Sequence, residues 1–378
     1  MPSTVQADAA ADKLQRLLGY LKEDPKNSAL ILEAAETAFE AKDAAMAQLL
    51  ADRLRAAGPV SPAQLGRLGF AALSAGAFGD AAGFYQEILE AGEADAPARF
   101  NLAYANAKEG RFDTALELLD EATATSLPQA ATLEVQLLHE RGEFEHAFDR
   151  ARQHLTAFPD DRSLLAATST LALDNEDIAF ARTCARKAGD HPEALSSLGI
   201  IMLGEADTSG ALQLFERSLK MNDAAPRSWI GQGLVRLACG EAAPAAQDID
   251  RGAELFDDHI GSWLAAGWAY LVAGDLPAAR ARFERAQSID PAFAETLGSI
   301  AVIDVADGRL DEARHRSVAA LRLDRECFTA LLAQSLLKAE AGDQQNAKAI
   351  FEQIIRTPIG RNELTVRDML MKLGLGRN

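Results

Sequence analysis

Three histidines form the densest group of side chains in this sequence that could bind a metal ion. His139, His146 and His154 lie within one stretch of the chain, with Gly142 between the first two. Two histidines of one helix hold a zinc ion when they are four residues apart. Because His146 is farther than that from His139 and Gly142 indicates a turn, the spacing predicts three partly exposed histidines on neighbouring helices and no metal site.

The chain also lacks the spacings that nucleophilic catalysis and nucleotide binding require. Gly231-Gln232-Gly233 resembles part of a dinucleotide-binding loop, but it has no third glycine and no preceding strand, so it indicates helix packing. We find no GxSxG motif, no P-loop and no cysteine with a nearby histidine. We therefore expect no catalytic residue and no cofactor, and we expect that the protein is not an enzyme.

The composition excludes further classes of function. The 378 residues include 56 Asp and Glu against 38 Lys and Arg, a formal net charge of -18. Nucleic-acid binding depends on Lys and Arg that neutralise phosphates, so we expect no nucleic-acid partner. Three cysteines without a CxxC pair are typical of a reducing compartment. Residues 1–11 carry no export signal and no long apolar stretch follows, which predicts a cytoplasmic protein without a membrane span.

Glycines recur at a constant interval and reveal an internal repeat. Gly240, Gly274, Gly308 and Gly342 follow one another at steps of 34 residues, each between two segments with the apolar period of a helix. A period of this length is typical of helix-pair repeats, in which each repeat buries its apolar face against the next. Any functional side chain must therefore be positioned by stacked helix pairs.

A small residue accompanies the glycine at a fixed distance. When the glycine is numbered 15 in a repeat, position 20 is always alanine, and these residues are Ala47, Ala81, Ala115, Ala147, Ala181, Ala211, Ala245, Ala279, Ala313 and Ala347. A small side chain at this position lets the second helix of a pair approach the first closely. We therefore expect the alanines at the contact between paired helices.

The residues of the repeat at 260–293 resemble the tetratricopeptide repeat position for position. They include the Trp, Gly, Tyr, Ala, Phe, Ala and Pro signature of that family. The matching residues, with the repeat glycine, are Trp263, Gly267, Tyr270, Gly274, Ala279, Phe283, Ala286 and Pro291. In this phase the resemblance covers residues 28–361. It implies an all-α fold, a right-handed α-α superhelix (solenoid) of about ten helix pairs with capping helices at both ends.

The repeats divide the chain into four predicted segments. Residues 1–27 are expected to hold a disordered start and an N-terminal capping helix, and residues 28–191 five repeats, two of them shortened. Residues 192–361 hold five regular repeats of 34 residues, and residues 362–378 a C-terminal capping helix.

The two shortened repeats are 96–127 and 162–191. The second is the weakest match to the repeat pattern, which predicts a kink or local softness near residues 175–192.

The resemblance places repeat positions 2, 5, 9, 12 and 13 of the first helices in a concave groove. Position 9, usually polar in the family, is Phe70 and Tyr104 in two early repeats and stays apolar in the later ones. Over residues 192–361 these positions form an apolar stripe of predicted partner-binding residues. They are Ile200, Leu203, Ile230, Leu234, Leu237, Leu264, Trp268, Leu271, Val302, Val305 and Leu336.

This apolar stripe has two explanations. An exposed apolar stripe indicates a binding site, and a partner helix or apolar peptide would fit it. Alternatively, the curvature of the stack buries these positions between neighbouring first helices, or the C-terminal segment folds back on them.

The family's best-known ligand mode, a carboxylate clamp for chaperone tails, is not matched. Asn101 fits its family position, but Ala63 and Arg67 in the preceding repeat and Gln129 and Leu133 in the following one do not. An Hsp70 or Hsp90 C-terminal tail is therefore a disfavoured partner.

These observations predict a non-enzymatic protein-protein interaction scaffold or adaptor that binds a partner helix or peptide, above all an apolar helix, in the groove. A second hypothesis is an assembly, secretion or envelope-biogenesis accessory factor with a chaperone-like role, or the targeting subunit of an enzyme on another chain. A homo-oligomer is also possible, because two apolar stripes could face one another. Repeat folds host many functions, so the partner is not identified.

Overall fold

The computed structural model describes residues 4–356, 358–359 and 364–365. Twenty-two helices and two short strands run through this part of the chain, and within each unit most helices pack against a neighbour in sequence. The all-α class predicted from the sequence is confirmed. The chain divides into two compact units, an N-terminal unit, Met1–Leu171, and a C-terminal unit, Ala172–Asn378. The boundary predicted at residue 192 stays a prediction.

The helices of the N-terminal unit are α1 (Thr4–Glu23), α2 (Ser28–Glu40), α3 (Ala44–Ala57), α4 (Pro62–Ala75), α5 (Phe78–Glu90), α6 (Ala96–Lys108), α7 (Phe112–Leu118), α8 (Glu121–Ser126), α9 (Pro128–Glu140) and α10 (Phe144–Ala157). Helix α11 (Arg162–Asp174) contains the boundary between the units. Helix α1 lies within residues 1–27, for which the sequence predicted an N-terminal capping helix, and buries Leu14, Leu17 and Leu21 against the core.

The helices of the C-terminal unit are α12 (Ile178–Ala188), α13 (Pro192–Gly204), α14 (Thr208–Met221), α15 (Pro226–Ala238), α16 (Ala242–Phe256), α17 (Ile260–Val272), α18 (Leu276–Ile289), α19 (Ala294–Ala306), α20 (Leu310–Leu323), α21 (Phe328–Glu340) and α22 (Gln344–Arg356). The strands β1 (Pro358–Ile359) and β2 (Leu364–Thr365) follow and pair antiparallel. Over the described residues, no helix combines the length and apolar character that a membrane crossing requires.

The repeat glycines end the first helices because of their backbone conformation. Gly240, Gly274, Gly308 and Gly342 have φ angles between 75° and 82°, in the left-handed region that costs other residues free energy. In the repeat at 260–293, Asp275 then caps α18 by accepting a hydrogen bond from the backbone N–H of Ala278. The glycine spacing in the sequence thus reports the turn between paired helices.

The alanines at repeat position 20 lie at the contact that the sequence predicts. All ten are buried, nine of them with no exposed surface. Glycines at position 8 pack in the same contact: a Cβ built on Gly199 would lie 2.6 Å from the ring of Phe215, and one on Gly233 would lie 2.5 Å from Ile249. The interpretation of Gly231-Gln232-Gly233 as a packing feature is therefore confirmed.

The shortened repeat at 96–127 has a broken second helix. Helix α7 ends at Leu118, and α8 begins after Asp120, whose carboxylate accepts a hydrogen bond from the backbone N–H of Thr123 at 2.8 Å. This backbone hydrogen bond holds the pKa of Asp120 below its usual range. The helix breaks here because Asp120 is a better cap than an interior helix residue.

The kink or local softness expected near residues 175–192 stays a prediction. Helix α12 runs without interruption from Ile178 to Ala188 and is simply short. It starts at the cap Asp177 and ends at Gly189, which has a φ of 65°. The missing residues of this repeat therefore shorten its second helix.

The C-terminal capping helix predicted over 362–378 is wrong at Leu364 and Thr365, which form β2. Pro358 follows α22 and stops the helix, because it has no backbone N–H to donate. Residues 362–363 and 366–378 lie outside the described part of the chain.

Candidate functional site

The predicted apolar stripe is mostly half-buried in the structure. Nine of its eleven residues have intermediate exposure, Leu234 is 41% exposed and Val302 is only 5% exposed. Ile200 and Leu203 pack against the cluster around Phe215, whereas Ile230, Leu237 and Leu264 pack against the cluster that contains Ile249 and Trp263. The stripe therefore combines core packing with a partly accessible apolar surface.

Val302 is not available to a partner, so its assignment as a groove residue is corrected. It lies in a cluster with Ala301 and Ala333, against which Leu336 also packs. The cause is the close approach of α19 and α21: a Cβ built on Gly298 would lie 2.5 Å from the backbone N of Ala330. Since Val302 is one helical turn after Gly298, α21 covers it.

Val272 is the most exposed apolar residue of the same face, and the sequence analysis missed it. It occupies position 13 of the repeat at 260–293 and is 66% exposed. Position 13 belongs to the groove positions of the family, so the signal was present in the sequence. Together, Leu234 on α15 and Val272 on α17 are the exposed large apolar side chains of the described first helices in the C-terminal unit.

Trp268 belongs as much to the core as to the surface. Its ring meets the ring of Phe283 edge to face, with centroids 5.7 Å apart, and it also packs against the cluster of Val302. Such an aromatic pair contributes about 1 kcal/mol beyond the area that it buries. A charged residue at position 268 would therefore disturb packing as well as the surface.

Two sets of hydrogen bonds connect first helices of different repeats in the C-terminal unit. The guanidinium of Arg227 on α15 donates two hydrogen bonds to the carboxylate of Asp174, at 3.1 and 2.7 Å. The carboxylate of Glu295 on α19 accepts hydrogen bonds from the backbone N–H groups of Phe328 and Thr329, at 2.7 and 3.2 Å. These charged groups flank the apolar positions and fix the spacing of the helices that carry them.

Several arginines of the second helices are paired with carboxylates, among them Arg280, Arg282 and Arg316. Asp304, which is fully buried, accepts hydrogen bonds from Arg280 and Arg316, and Arg309 lies 3.1 Å from it. Arg282 donates two hydrogen bonds to Asp250, at 2.8 and 2.5 Å. These residues therefore connect successive helices of the stack.

The N-terminal unit contains a trough that the sequence did not predict. Helices α1, α2 and α4 enclose a volume of about 1270 Å³. Its small lining residues are Ala9, Ala10, Ala63, Gly66, Ala71 and Ala75. Phe70, which the sequence placed at position 9, projects into this region with 65% of its surface exposed. Because the lining side chains beside the exposed ring of Phe70 are small, the trough has room for large side chains of a partner.

The charged residues of the trough are largely paired. Arg67 donates two hydrogen bonds to Glu36, at 2.6 and 2.7 Å, and Lys13 forms an ion pair with Glu33 at 3.0 Å. Asn101, the one residue that fits the chaperone-tail clamp, does not line the trough, and its side chain donates to the hydroxyl of Tyr85 at 3.0 Å. The rim is therefore polar but not strongly charged.

The histidine group contains a buried pair that the sequence did not indicate. His154 is 1% exposed, and its Nε2 lies 2.7 Å from the carboxylate of Glu134, so the prediction of a partly exposed residue is wrong for His154. Arg150 donates to the same carboxylate at 2.6 Å. Burial opposes ionisation of Glu134, but the hydrogen bonds from His154 and Arg150 outweigh it and hold the pKa of Glu134 below its usual value.

Comparison with known proteins supports the repeat assignment. A family model described as tetratricopeptide repeat matches residues 71–131. A search of curated proteins finds no match.

The solved structure of IFIT1 shares the fold at low sequence identity. A monomeric mutant of IFIT1 with Gppp-AAAA is 12% identical, with a TM-score of 0.55 over 92% of this chain and 94% of that chain. A tetratricopeptide repeat protein from Parabacteroides merdae is 16% identical, with a TM-score of 0.42 over 64% of this chain and 97% of that one. At such identities the likeness concerns the fold alone. The repeat pattern and the helix pairs agree with this family match, so the chain resembles tetratricopeptide repeat proteins.

Proposed function

We propose that this protein is a non-enzymatic interaction scaffold that binds an apolar helix or peptide of a protein partner. The observation that carries the proposal is the pair of exposed apolar side chains on adjacent first helices, Leu234 and Val272. Half-buried Leu237, Leu271 and Trp268 lie on the same helices and would extend the contact. Apolar side chains in such a row suit the anchor residues of an amphipathic helix.

The titratable groups support a role without catalysis. Glu134 is held by Arg150 and His154, and Asp248 accepts hydrogen bonds from Gln232 at 3.0 Å and Arg236 at 2.6 Å. Burial raises the pKa of Asp248, but its partners are structural side chains of the same helix pair. Shifted pKa values are therefore explained by packing, which favours a binding protein over an enzyme.

We do not propose that this protein binds the kind of ligand present in the IFIT1 structure. That complex contains Gppp-AAAA, a chain of phosphates and nucleotides. The present chain has a net charge of -18, and arginines such as Arg67, Arg280 and Arg282 are paired with carboxylates. Because phosphate binding needs available cations, we propose a protein partner and no nucleic acid. The three free cysteines support a reducing compartment such as the cytoplasm.

The test replaces Leu234 and Val272 together by glutamate in the full chain. Proteins that copurify with the wild type from its own cells should fall at least about tenfold with this double variant, as anchor residues dominate binding energy. The matched control, Met221→Glu with Leu323→Glu, changes two similarly exposed apolar residues on second helices and should retain the partners. If both variants retain the same partners with unchanged helicity, the proposal is wrong.

The trough of the N-terminal unit is a second candidate surface for the same function. Phe70→Glu places a charge among its small apolar residues, whereas Leu49→Glu changes a comparably exposed residue on α3 outside the trough. Loss of partners with Phe70→Glu alone would assign binding to the N-terminal unit. Loss with the Leu234 and Val272 variant alone would assign it to the C-terminal unit.

A further inference from the structure

The N-terminal cap of helix α17 differs from the caps of other first helices in the C-terminal unit. Helices α13, α15, α19 and α21 begin without a side chain that accepts a hydrogen bond at the cap. Helix α17 begins after His259, whose Nδ1 accepts a hydrogen bond from the backbone N–H of Ser262 at 3.2 Å. Helix caps are usually Ser, Thr, Asp or Asn, whose oxygens keep their acceptor role near neutral pH. The start of α17 depends instead on a side chain that changes its charge in this range.

The hydrogen bonds of His259 fix the protonation state of its ring. A backbone N–H can only donate, so Nδ1 must present its lone pair to Ser262. The buried hydroxyl of Ser262 lies 2.7 Å from the same Nδ1. Both ring nitrogens of an imidazolium carry protons, so only the neutral imidazole can accept here. This cap therefore exists only while His259 is neutral.

The surroundings of the ring also oppose a positive charge. The ring lies against Phe256, with centroids 5.2 Å apart, and a Cβ built on Gly261 in the first turn of α17 would lie 3.1 Å from it. Partial burial lowers the pKa of His259, and the charge of Arg227 lowers it further, whereas the carboxylate of Asp174 acts in the opposite direction. A charged ring would also lie at the positive end of the helix dipole of α17.

The other carboxylates near this cap offer little compensation for a charged ring. Asp257, in the turn before the histidine, forms an ion pair with Arg285 of α18 at 2.9 Å. On α16, Glu254 pairs with Arg251 at 3.1 Å. Asp258 is exposed to solvent, where salt screens its charge. These carboxylates are thus either paired or exposed.

We propose that His259 is a pH-sensitive switch for the first turn of α17. The residue keeps exposed surface, so a proton from solvent reaches the ring. Once Nδ1 carries this proton, its new N–H meets the N–H of Ser262, the hydrogen bond is lost and the imidazolium leaves the cap. The first turn of α17 then opens and loosens the packing of Trp263 on α16. This inference does not depend on the proposed partner binding.

The direction of the pH effect follows from the lowered pKa of His259. The cap contributes fully above the ordinary histidine pKa of about 6.5, and the contribution is lost as the pH falls through the lower pKa of the folded protein. Loss of a helix cap makes local opening about fivefold more frequent. Mild acid should therefore loosen the start of α17 while the rest of the protein stays folded.

Hydrogen exchange of the full chain tests this proposal, at about pH 7.5 and about pH 5 and corrected for the intrinsic exchange rates. In the wild type, the amides of residues 262–266 should lose about fivefold protection in acid, whereas those of α5 should not. His259→Asn supplies a good cap that does not titrate, so it should remove this difference. The matched control, His315→Asn, changes an exposed histidine of α20 and should keep it.

Three results would overturn the proposal. The first is an equal acid loss of protection at residues 262–266 in the wild type and in His259→Asn, whether it is local or shared with α5. The second is protection of these amides in the wild type that does not change with pH. The third is an NMR titration of the wild-type His259 ring with a pKa at or above the ordinary value of about 6.5.

Discussion

The carboxylate of Glu295 accepts hydrogen bonds from both the backbone N–H and the hydroxyl of Thr329, at 3.2 and 2.7 Å. The bonds place a negative charge at the start of α21, where the helix dipole and the free N–H groups stabilise it. The same pair of helices approach each other closely at Gly298. The contact buries Val302. The part of the apolar stripe that a partner could reach therefore excludes this residue.

This close approach predicts a large effect of one methyl group. Gly298→Ala should lower the free energy of unfolding by about 3 kcal/mol, because the new Cβ would meet the backbone of α21, which cannot move as a side chain can. Chemical denaturation measures the effect.

The matched control is Gly83→Ala in α5, where nothing lies within 4 Å of the new Cβ. This change should stabilise the protein by roughly 0.5 to 1 kcal/mol through helix propensity. Equal effects of the two substitutions would contradict the packing of α19 on α21.

The buried pair of the histidine group predicts a pH-dependent contribution to stability. The fold lowers the pKa of Glu134, so its carboxylate stabilises the protein above the unfolded-state pKa of about 4.3, and this contribution disappears as the pH falls through the lower folded pKa. Glu134→Gln should cost about 2 kcal/mol near pH 7 and progressively less in acid.

Unfolding experiments across this pH range give the difference between the two proteins. Glu117→Gln, which changes an exposed glutamate on α7, should show neither the loss nor its pH dependence. A difference between wild type and Glu134→Gln that stays constant from neutral to acid pH would refute the role of the buried carboxylate.

The three thiols should differ sharply in reactivity. Burial raises the pKa of Cys184 and Cys327 to about 11, whereas Cys239 is exposed. Since the thiolate is the nucleophile, iodoacetamide at about pH 8 should modify Cys239 alone in the folded protein and all three after unfolding. Mass spectrometry counts the modified thiols, and Cys239→Ser should leave the folded protein unmodified. Equally fast modification of Cys184 would show that its helix is not packed as described.

The sequence predicts those features that arise within one repeat. Ala279 and Gly274 recur at constant positions because every helix pair needs the same close contact and the same left-handed turn, so ten copies reinforce one signal. The break at Asp120 was less visible, since one capping residue in a shortened repeat is a single event.

The repeat pattern does not reveal contacts between residues that are distant in the sequence. The pair of Glu134 and His154 joins residues twenty apart in two helices, and its only sequence signal is a pair of polar residues at usually apolar positions. The burial of Val302 depends on how closely α19 and α21 approach, which repeat numbering does not express. Val272, in contrast, lay at a known groove position and could have been included.

Site-specific photo-crosslinking tests the interaction scaffold most directly. A photoreactive amino acid in place of Val272, introduced in the full chain within its own cells, should form a covalent adduct with one discrete partner protein, because this position would lie in the contact. The same amino acid in place of Met221, which is 56% exposed on α14, should not form that adduct. Identical adducts from both positions, or none from position 272, would contradict the assignment of this apolar face as the binding surface.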